Sequence, residues 1–381
     1  MFKYFCYQFS LLFIAGSTLT AQQTLSRTIE HDGVIREYTL YIPSNYDDIS
    51  KLPLLFNFHG GSGNIASQIA ISDMRALAEK DGFLIVYPQA LPDPNDGGST
   101  QWTHKPPSTI DDVNFVEGMI DALAMEYKVD QQRVYACGYS NGGEFSLELA
   151  CRLSDQIAAI GTVARSIYIE TYEACSPTRP IGIVSIQGTK DDYDGITFGG
   201  VTYYLSMDDL NQFWSTHNNT DSDPTVVEIP NISTTDESTV EKISWDNGDA
   251  CVSVLHYKVN GGGHDWPGSF GNMDIDASEE IWNYVSQYDL NGLIDCTAVP
   301  NIDVTKIKGI KVLNNPTNGS IIIEHKNLVA PIDFVICTLY GQRLKSGQLV
   351  SNFSTIDLSD LSDNFYLLKL ENQIFKIIKT R

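Results

Sequence analysis

Apolar and polar positions alternate along "VIREYTLYIPSNYD" and then break at a turn, which predicts an early strand. "LPLLFNFHGGSGN" is instead a continuous apolar run closing on glycines, the signature of a buried parallel strand that feeds a loop. "IAISDMRALAEKDG" has helical spacing and leads to a second apolar strand, "FLIVYP". In "DDVNFVEGMIDALAMEYKV" the apolar residues recur at the period of a helix, and Asp111 and Asp112 stand at its start, where carboxylates cap free amides. The strand "RVYACGYS", the helix "GGEFSLELACRLSD", the strands "IGIVSIQG" and "CVSVLHYKV" and a last helix, "SEEIWNYVSQY", complete the series. Strands alternating with helices predict an α/β fold, a mostly parallel sheet with helices on both faces.

Around "LIDCTAVPNIDVTK" the pattern changes. Beyond it come only short strands and turns, such as "IKVLNNPTNGSIIIEH" and "DFVICTLYGQRLKSG", so a small C-terminal β-sandwich is expected. At the other end Lys3 precedes the short apolar core "FSLLFIAGS", and "TLTA" ends at Ala21, the layout of a cleavable signal peptide. The expected organisation is a signal peptide over 1–21, an α/β domain over 22–298, a linker over 299–306 and a β-sandwich over 307–381. No segment is long and apolar enough for a transmembrane helix.

The 381 residues carry 25 Lys+Arg against 48 Asp+Glu, a net charge of -23. Such a surface repels phosphate backbones and anionic lipids, which argues against a nucleic-acid partner and suits a protein working outside the cell. Of the 7 cysteines, Cys6 leaves with the signal peptide. None of the rest forms a C-x-x-C pair, and neither H-E-x-x-H nor G-x-x-x-x-G-K-[ST] occurs, so no metal or cofactor is expected. In an exported chain some cysteines should be bridged. Cys151 and Cys175, which flank one structural unit, are the expected pair, whereas Cys137 reads as a buried thiol in an apolar strand.

"GYSNGG", between an apolar strand and a helix, matches the G-x-S-x-G nucleophile elbow in sequence and in context. The turn lifts Ser140 above the sheet edge, and the helix behind it offers free amides to developing negative charge. "HGGSG" ends the earlier buried strand, and there the Gly61 amide, with Gly60 as its rival, would complete an oxyanion hole with the amide of Asn141. His59 is expected to brace that loop, because α/β-hydrolases place the base after the nucleophile in chain order. Beyond Ser140, His217 lies in a polar stretch, His256 within a strand and His325 in the small β domain. Only His264, in "GGGHDWPG", follows a strand end on a loop free enough to reach the serine, so it is the expected general base. Asp191, the first carboxylate after "IGIVSIQG", is the expected acid, with Asp192 and Asp194 as rivals. Trp102 and Trp266 are candidate walls of a substrate cleft.

Residues from about Thr28 to Tyr288 resemble the polyhydroxybutyrate depolymerase-like esterases, with their feruloyl and acetylxylan esterase relatives among the family 1 carbohydrate esterases. The matching pieces are "HGG" after a strand, "DDVNFVEGMIDAL", "RVYACGYSNGG", "LACRLSDQIAAIGTVA", "GTKD" and "GGGHDWPG". The resemblance implies an α/β-hydrolase fold, no metal, and ester hydrolysis through an acyl-enzyme with Ser140, Asp191 and His264. Gln187 departs from the pattern, since the family commonly has histidine there. "DYDGITFGG" departs as well, and a cysteine often seen in the family is replaced near Asn218, which leaves Cys251 without an assigned partner. The last residues, from about Lys308 to Arg381, resemble the C-terminal sorting domain of the type IX secretion system. "VLNNPTNGSIIIE", "LYGQRL", "IDLSDL" and "FYLLKL" carry this resemblance, with Asn314 where proline is usual and Asn364 where glycine is usual. It implies export by that machinery from a Bacteroidetes-type bacterium. The expectation is a secreted serine esterase acting on feruloyl or acetyl esters of polysaccharides, with a polyhydroxybutyrate depolymerase as the alternative. A non-catalytic surface binding protein on a hydrolase scaffold is the reading from another class.

Overall fold

The computed structural model describes residues 22–103, 108–296, 310–325, 331–338, 343–362, 364–370 and 373–380. The expected signal peptide and linker lie outside them. Apolar runs of strand length that must hide both faces pair side by side, and here they build the centre of a ten-stranded sheet. Its spatial order is Gln23–His31, Val34–Ile42, Leu84–Pro88, Leu52–Phe58, Val129–Tyr139, Ala159–Val163, Gly182–Gly188, Val254–Asn260, Thr239–Trp245 and Thr225–Glu228. The six strands from Leu84–Pro88 to Val254–Asn260 are parallel, and two antiparallel strands extend each edge. Successive residues of one strand serve opposite cores: Leu54, Phe56 and Phe58 face one, with Phe145 and Trp214, while Leu55 faces the other, with Tyr135 and Trp282.

After Leu52–Phe58 the chain steps to Leu84–Pro88 on one side and later resumes with Val129–Tyr139 on the other. Strand order therefore reverses at this place, and in open α/β sheets ligands bind outside the carboxyl ends of the two strands that meet there. The loops leaving those ends begin at His59 and Ser140.

Three readings of the pattern are corrected. "IAISDMRALAEKDG" is not one helix: it holds the end of Ile65–Ile71 and the whole of a second helix, Arg75–Asp81. The break falls at Ser72, whose hydroxyl bonds back to the Gln68 carbonyl (2.9 Å) and accepts from the buried Asn57 amide (3.0 Å). "CVSVLHYKV" becomes a strand only from Val254, because Asp249–Cys251 is a 3-10 turn and Cys251 is bridged to Cys296. That bridge supplies the partner which the pattern left open. Cys151 pairs with Cys175 as expected, and Cys137 is a buried free thiol. Of the paired aspartates, Asp111 caps the helix Asp112–Glu126, while Asp112 is buried in an ion pair with Arg36 at 2.7 Å.

The chain divides into two compact units, Met1–Cys296 and Thr297–Arg381. The second holds a three-stranded sheet (Ile310–Leu313, Ser320–His325, Phe353–Asp357) and a four-stranded one (Arg343–Leu349, Ile332–Cys337, Asn364–Leu370, Gln373–Lys379). Ile321, Ile336, Leu368 and Ile377 fill its core. No helix among the described residues is long and apolar enough to cross a membrane.

Candidate active site

Strand Val129–Tyr139 and helix Asn141–Arg152 are separated by one residue, Ser140. Turning a chain so sharply forces that residue to φ 54°, ψ -122°, a conformation costing about 1–3 kcal/mol that persists only under constraint. The constraints are visible. The Ser140 amide donates to the Val163 carbonyl (2.8 Å), and its own carbonyl accepts from Gly143 (2.8 Å) and Glu144 (3.0 Å). The elbow also needs a bare backbone at Gly142, where a methyl group would lie 2.3 Å from the Phe58 carbonyl oxygen.

The turn after Phe58 lies directly against this elbow. A methyl group at Gly60 would stand 3.3 Å from Ser140 Cβ, and one at Gly61 would stand 3.8 Å from Asn141 Cβ. Asn141 is the first residue of its helix, so its amide has no intrahelical acceptor and carries the positive end of the helix dipole. Its side-chain oxygen is occupied by the Trp102 amide at 2.8 Å. His59 is buried and takes the bracing role: Ala90 N–H donates to Nε2 (3.1 Å), so Nδ1 holds the proton and donates to the Gly60 carbonyl (2.7 Å). Burial depresses its proton affinity and keeps it neutral.

On the adjoining side, His264 Nδ1 donates to Asp191 Oδ2 at 2.8 Å. Asp191 is one-tenth exposed, whereas Asp192 points outward to Arg165 at 3.4 Å and Asp194 is exposed. Asp265 turns back onto the Gly263 amide (2.8 Å). Two further bonds tie the loops together, from Lys190 N–H to the Gly262 carbonyl (2.9 Å) and from Gly261 N–H to Thr189 Oγ1 (2.8 Å). They approach so closely at Gly188 that a methyl group there would lie 2.4 Å from the Gly263 carbonyl oxygen. Tyr139, immediately before the serine, closes the arrangement: its hydroxyl donates to the His264 carbonyl (2.6 Å) and its ring centre is 5.0 Å from the imidazole. Burial, aided by the charges of Asp191 and Asp265, pushes that phenol up to about 12, so it remains a donor.

Of the other histidines after Ser140, two are engaged elsewhere. His217 bonds the Arg179 carbonyl at 3.0 Å, and His256 is fully buried beside Ser185, where burial brings its pKa down to about 3. His325 belongs to the C-terminal unit. Both tryptophans are corrected from cleft walls to core. Trp102 is 2% exposed, with Nε1 on the His59 carbonyl (2.8 Å) and its ring stacked on Phe145. Trp266 is 1% exposed, with Nε1 on Ser278 Oγ (3.1 Å). A large apolar ring is held under these loops because burying it stabilises them more than displaying it. Motif reading missed Tyr139 and Gln101, whose side chain flanks Gly61, and it marked Gln187, which donates to Asp191, only as a departure from the family pattern.

Residues 36–192 match the Esterase PHB depolymerase family model, and residues 311–380 match the Secretion system C-terminal sorting domain. The two matches fall on separate stretches of the chain, one similar to that esterase family and one to that sorting domain. The sorting domain places the protein outside the cell or at its surface. A solved acetyl xylan esterase from Aspergillus awamori superposes on 70% of this chain and 99% of its own, with TM-score 0.50 and 16% identity, and the shared fold is that of the α/β-hydrolases. The chain is also similar to a bifunctional acetylxylan esterase/xylanase of Neocallimastix patriciarum, 28% identical over 275 residues, or 72% of this chain and 36% of that one. Feruloyl esterase B of Piromyces equi is 26% identical over 266 residues, 67% of this chain and 46% of that one. The chain thus spans less than half the length of either relative.

Proposed function

We propose that the protein is a secreted serine esterase that cleaves acetyl or feruloyl esters on polysaccharides or related oligomers. The reading rests on one observation above all: a serine on a strained elbow, beside loops where an aspartate orients a histidine through Nδ1. With Nδ1–H committed to Asp191, Nε2 is the free lone pair of His264 and takes the Ser140 proton as Oγ bonds to the ester carbonyl carbon. The amides of Gly61 and Asn141 hold the oxyanion, each worth about 3 kcal/mol of barrier. The imidazolium returns its proton to the departing alcohol. Water, deprotonated by the same nitrogen, then attacks the acyl-enzyme and releases the acid. Asp191 stabilises the imidazolium through its bond to Nδ1.

The names of the relatives favour an acyl group on plant polysaccharide. The polyester alternative draws on a specific surface, the hairpin Ile196–Phe198 and Val201–Tyr204 downstream of Asp191, where Phe198 and Val201 are 79% and 56% exposed and would suit an apolar polymer. Export through the type IX machinery is part of the proposal. Turnover of a chromogenic acetyl ester by Ser140→Ala tests the chemistry: the expected loss is about a thousandfold or more, and a variant keeping full turnover would sink it. Product analysis on methyl ferulate, acetylated xylan and polyhydroxybutyrate, run side by side, decides the substrate. Failure of the wild-type protein to react with a fluorophosphonate would favour the binding-protein reading.

A further inference from the structure

Gln187 is the penultimate residue of strand Gly182–Gly188 and is 2% exposed. Its Nε2 donates to Asp191 Oδ2 at 2.9 Å and also to the Asp191 backbone carbonyl. Two acceptors fix the orientation of the amide, because only the NH2 end can serve both. Its Oε1 is then left buried with no partner among the described residues. An orphan acceptor of that kind is costly, and a side chain placed for stability alone would not leave one. His264 Nδ1 donates to the same carboxylate oxygen.

We infer that Gln187 is a positioning residue for the Asp191–His264 couple, gripping the acid at both its carboxylate and its backbone. The inference rests on the esterase reading above. The backbone bond sets where the loop turns out of the strand, and the carboxylate bond sets which oxygen meets the ring. By sharing the charge on Oδ2, the amide also keeps the proton of the couple on Nδ1. Being uncharged, it does this without adding a titration to the site. Asp265 on the histidine loop, Tyr139 on the nucleophile strand, Arg165 with Asp192, and Lys258 opposite Gln187 on the next strand are the ionisable groups around the couple. Substitution at Gln187 leaves all of them in place.

Gln187→Met keeps the volume and removes the donor. Expected are a 10- to 100-fold fall in kcat, KM within about twofold of wild type, and an acid limb of the kcat/KM profile displaced to higher pH, because an unshared carboxylate stabilises the imidazolium more strongly. Gln187→Glu sets a carboxylate against a carboxylate. Its deficit relative to wild type should shrink as the pH falls from about 8 to about 5, where the protonated acid regains one donor. A folded Q187M with wild-type kcat and an unmoved acid limb overturns the inference. Should Q187M not fold, a Q187E deficit that is the same at every pH overturns it equally. Wild-type turnover of the same ester is the control: an inert wild type refutes the esterase reading instead.

Discussion

Ser140 sits at φ 54°, ψ -122°, where a residue with a Cβ stays only because its neighbours hold it, and the chemistry at the site depends on groups placed in that way. Asp191 is set apart from the two aspartates beside it by direction, not by charge. Asp191→Asn should lower kcat about 10³- to 10⁴-fold, while Asp192→Asn and Asp194→Asn should stay within a few fold, as read by steady-state kinetics on one ester. His256 makes a different contribution. Unfolded, its imidazole binds a proton below about pH 6.5; folded, burial holds its pKa at about 3. The unfolded state therefore carries more protons across that window, and the contribution of His256 to stability falls as the pH drops from about 6.5 towards about 3. Denaturant unfolding of His256→Gln at about pH 7 and about pH 4.5 should show a stability difference smaller by about 2–3 kcal/mol than that of wild type. The serine, histidine and acid could be read as candidates because their types and their places after strands are chemically constrained. Gln187 could be read only as a departure from the family pattern, since a neutral amide in an apolar run shows no role until its partners fold against it.

Among the elements, the histidine loop and the acid loop act as one piece. Gly188 joins them, and Gly188→Ala pushes a methyl group into the Gly263 carbonyl. The expected outcome is a kcat lowered roughly a hundredfold, since a displacement of about 1 Å is costly at a reacting centre. Circular dichroism should remain close to wild type, and global unfolding with the activity loss would refute this account. The central parallel strands were legible as unbroken apolar runs. The edge strands Gln23–His31 and Thr225–Glu228 were not, because exposed polar residues in a strand look like those in a loop. The single helix read over Ile69–Gly82 failed for a tertiary reason, as Asn57 from a neighbouring strand captures Ser72 and interrupts the helix. Trp102 and Trp266 failed in the same way: aromatic residues flanking loops carry no mark of which side they face.

For the whole molecule, one bridge bounds the first unit. Cys251–Cys296 closes a loop of separation 45 and ends at the last residue of that unit. On the chain-entropy account such a closure contributes roughly 4 kcal/mol. Cys251→Ser should therefore lower the denaturation midpoint strongly while leaving kcat within about twofold at 25 °C, as checked by urea titration and by turnover on the same preparation. That the C-terminal region is a separate β unit was legible from the loss of helical period after Cys296. The partner of Cys251 was not, because connectivity does not follow from spacing.

The position of Cys296 also bears on timing. A chain is made and delivered from its N-terminus, so Cys151 and Cys175 can join while later strands are still missing. Cys251 must wait for a residue that arrives only when the first unit is entire. An interrupted chain keeps an alkylatable thiol at Cys251, and a finished one does not. The second bridge is thus a seal of completion, and counting reactive thiols in partly delivered material reads how far delivery has gone.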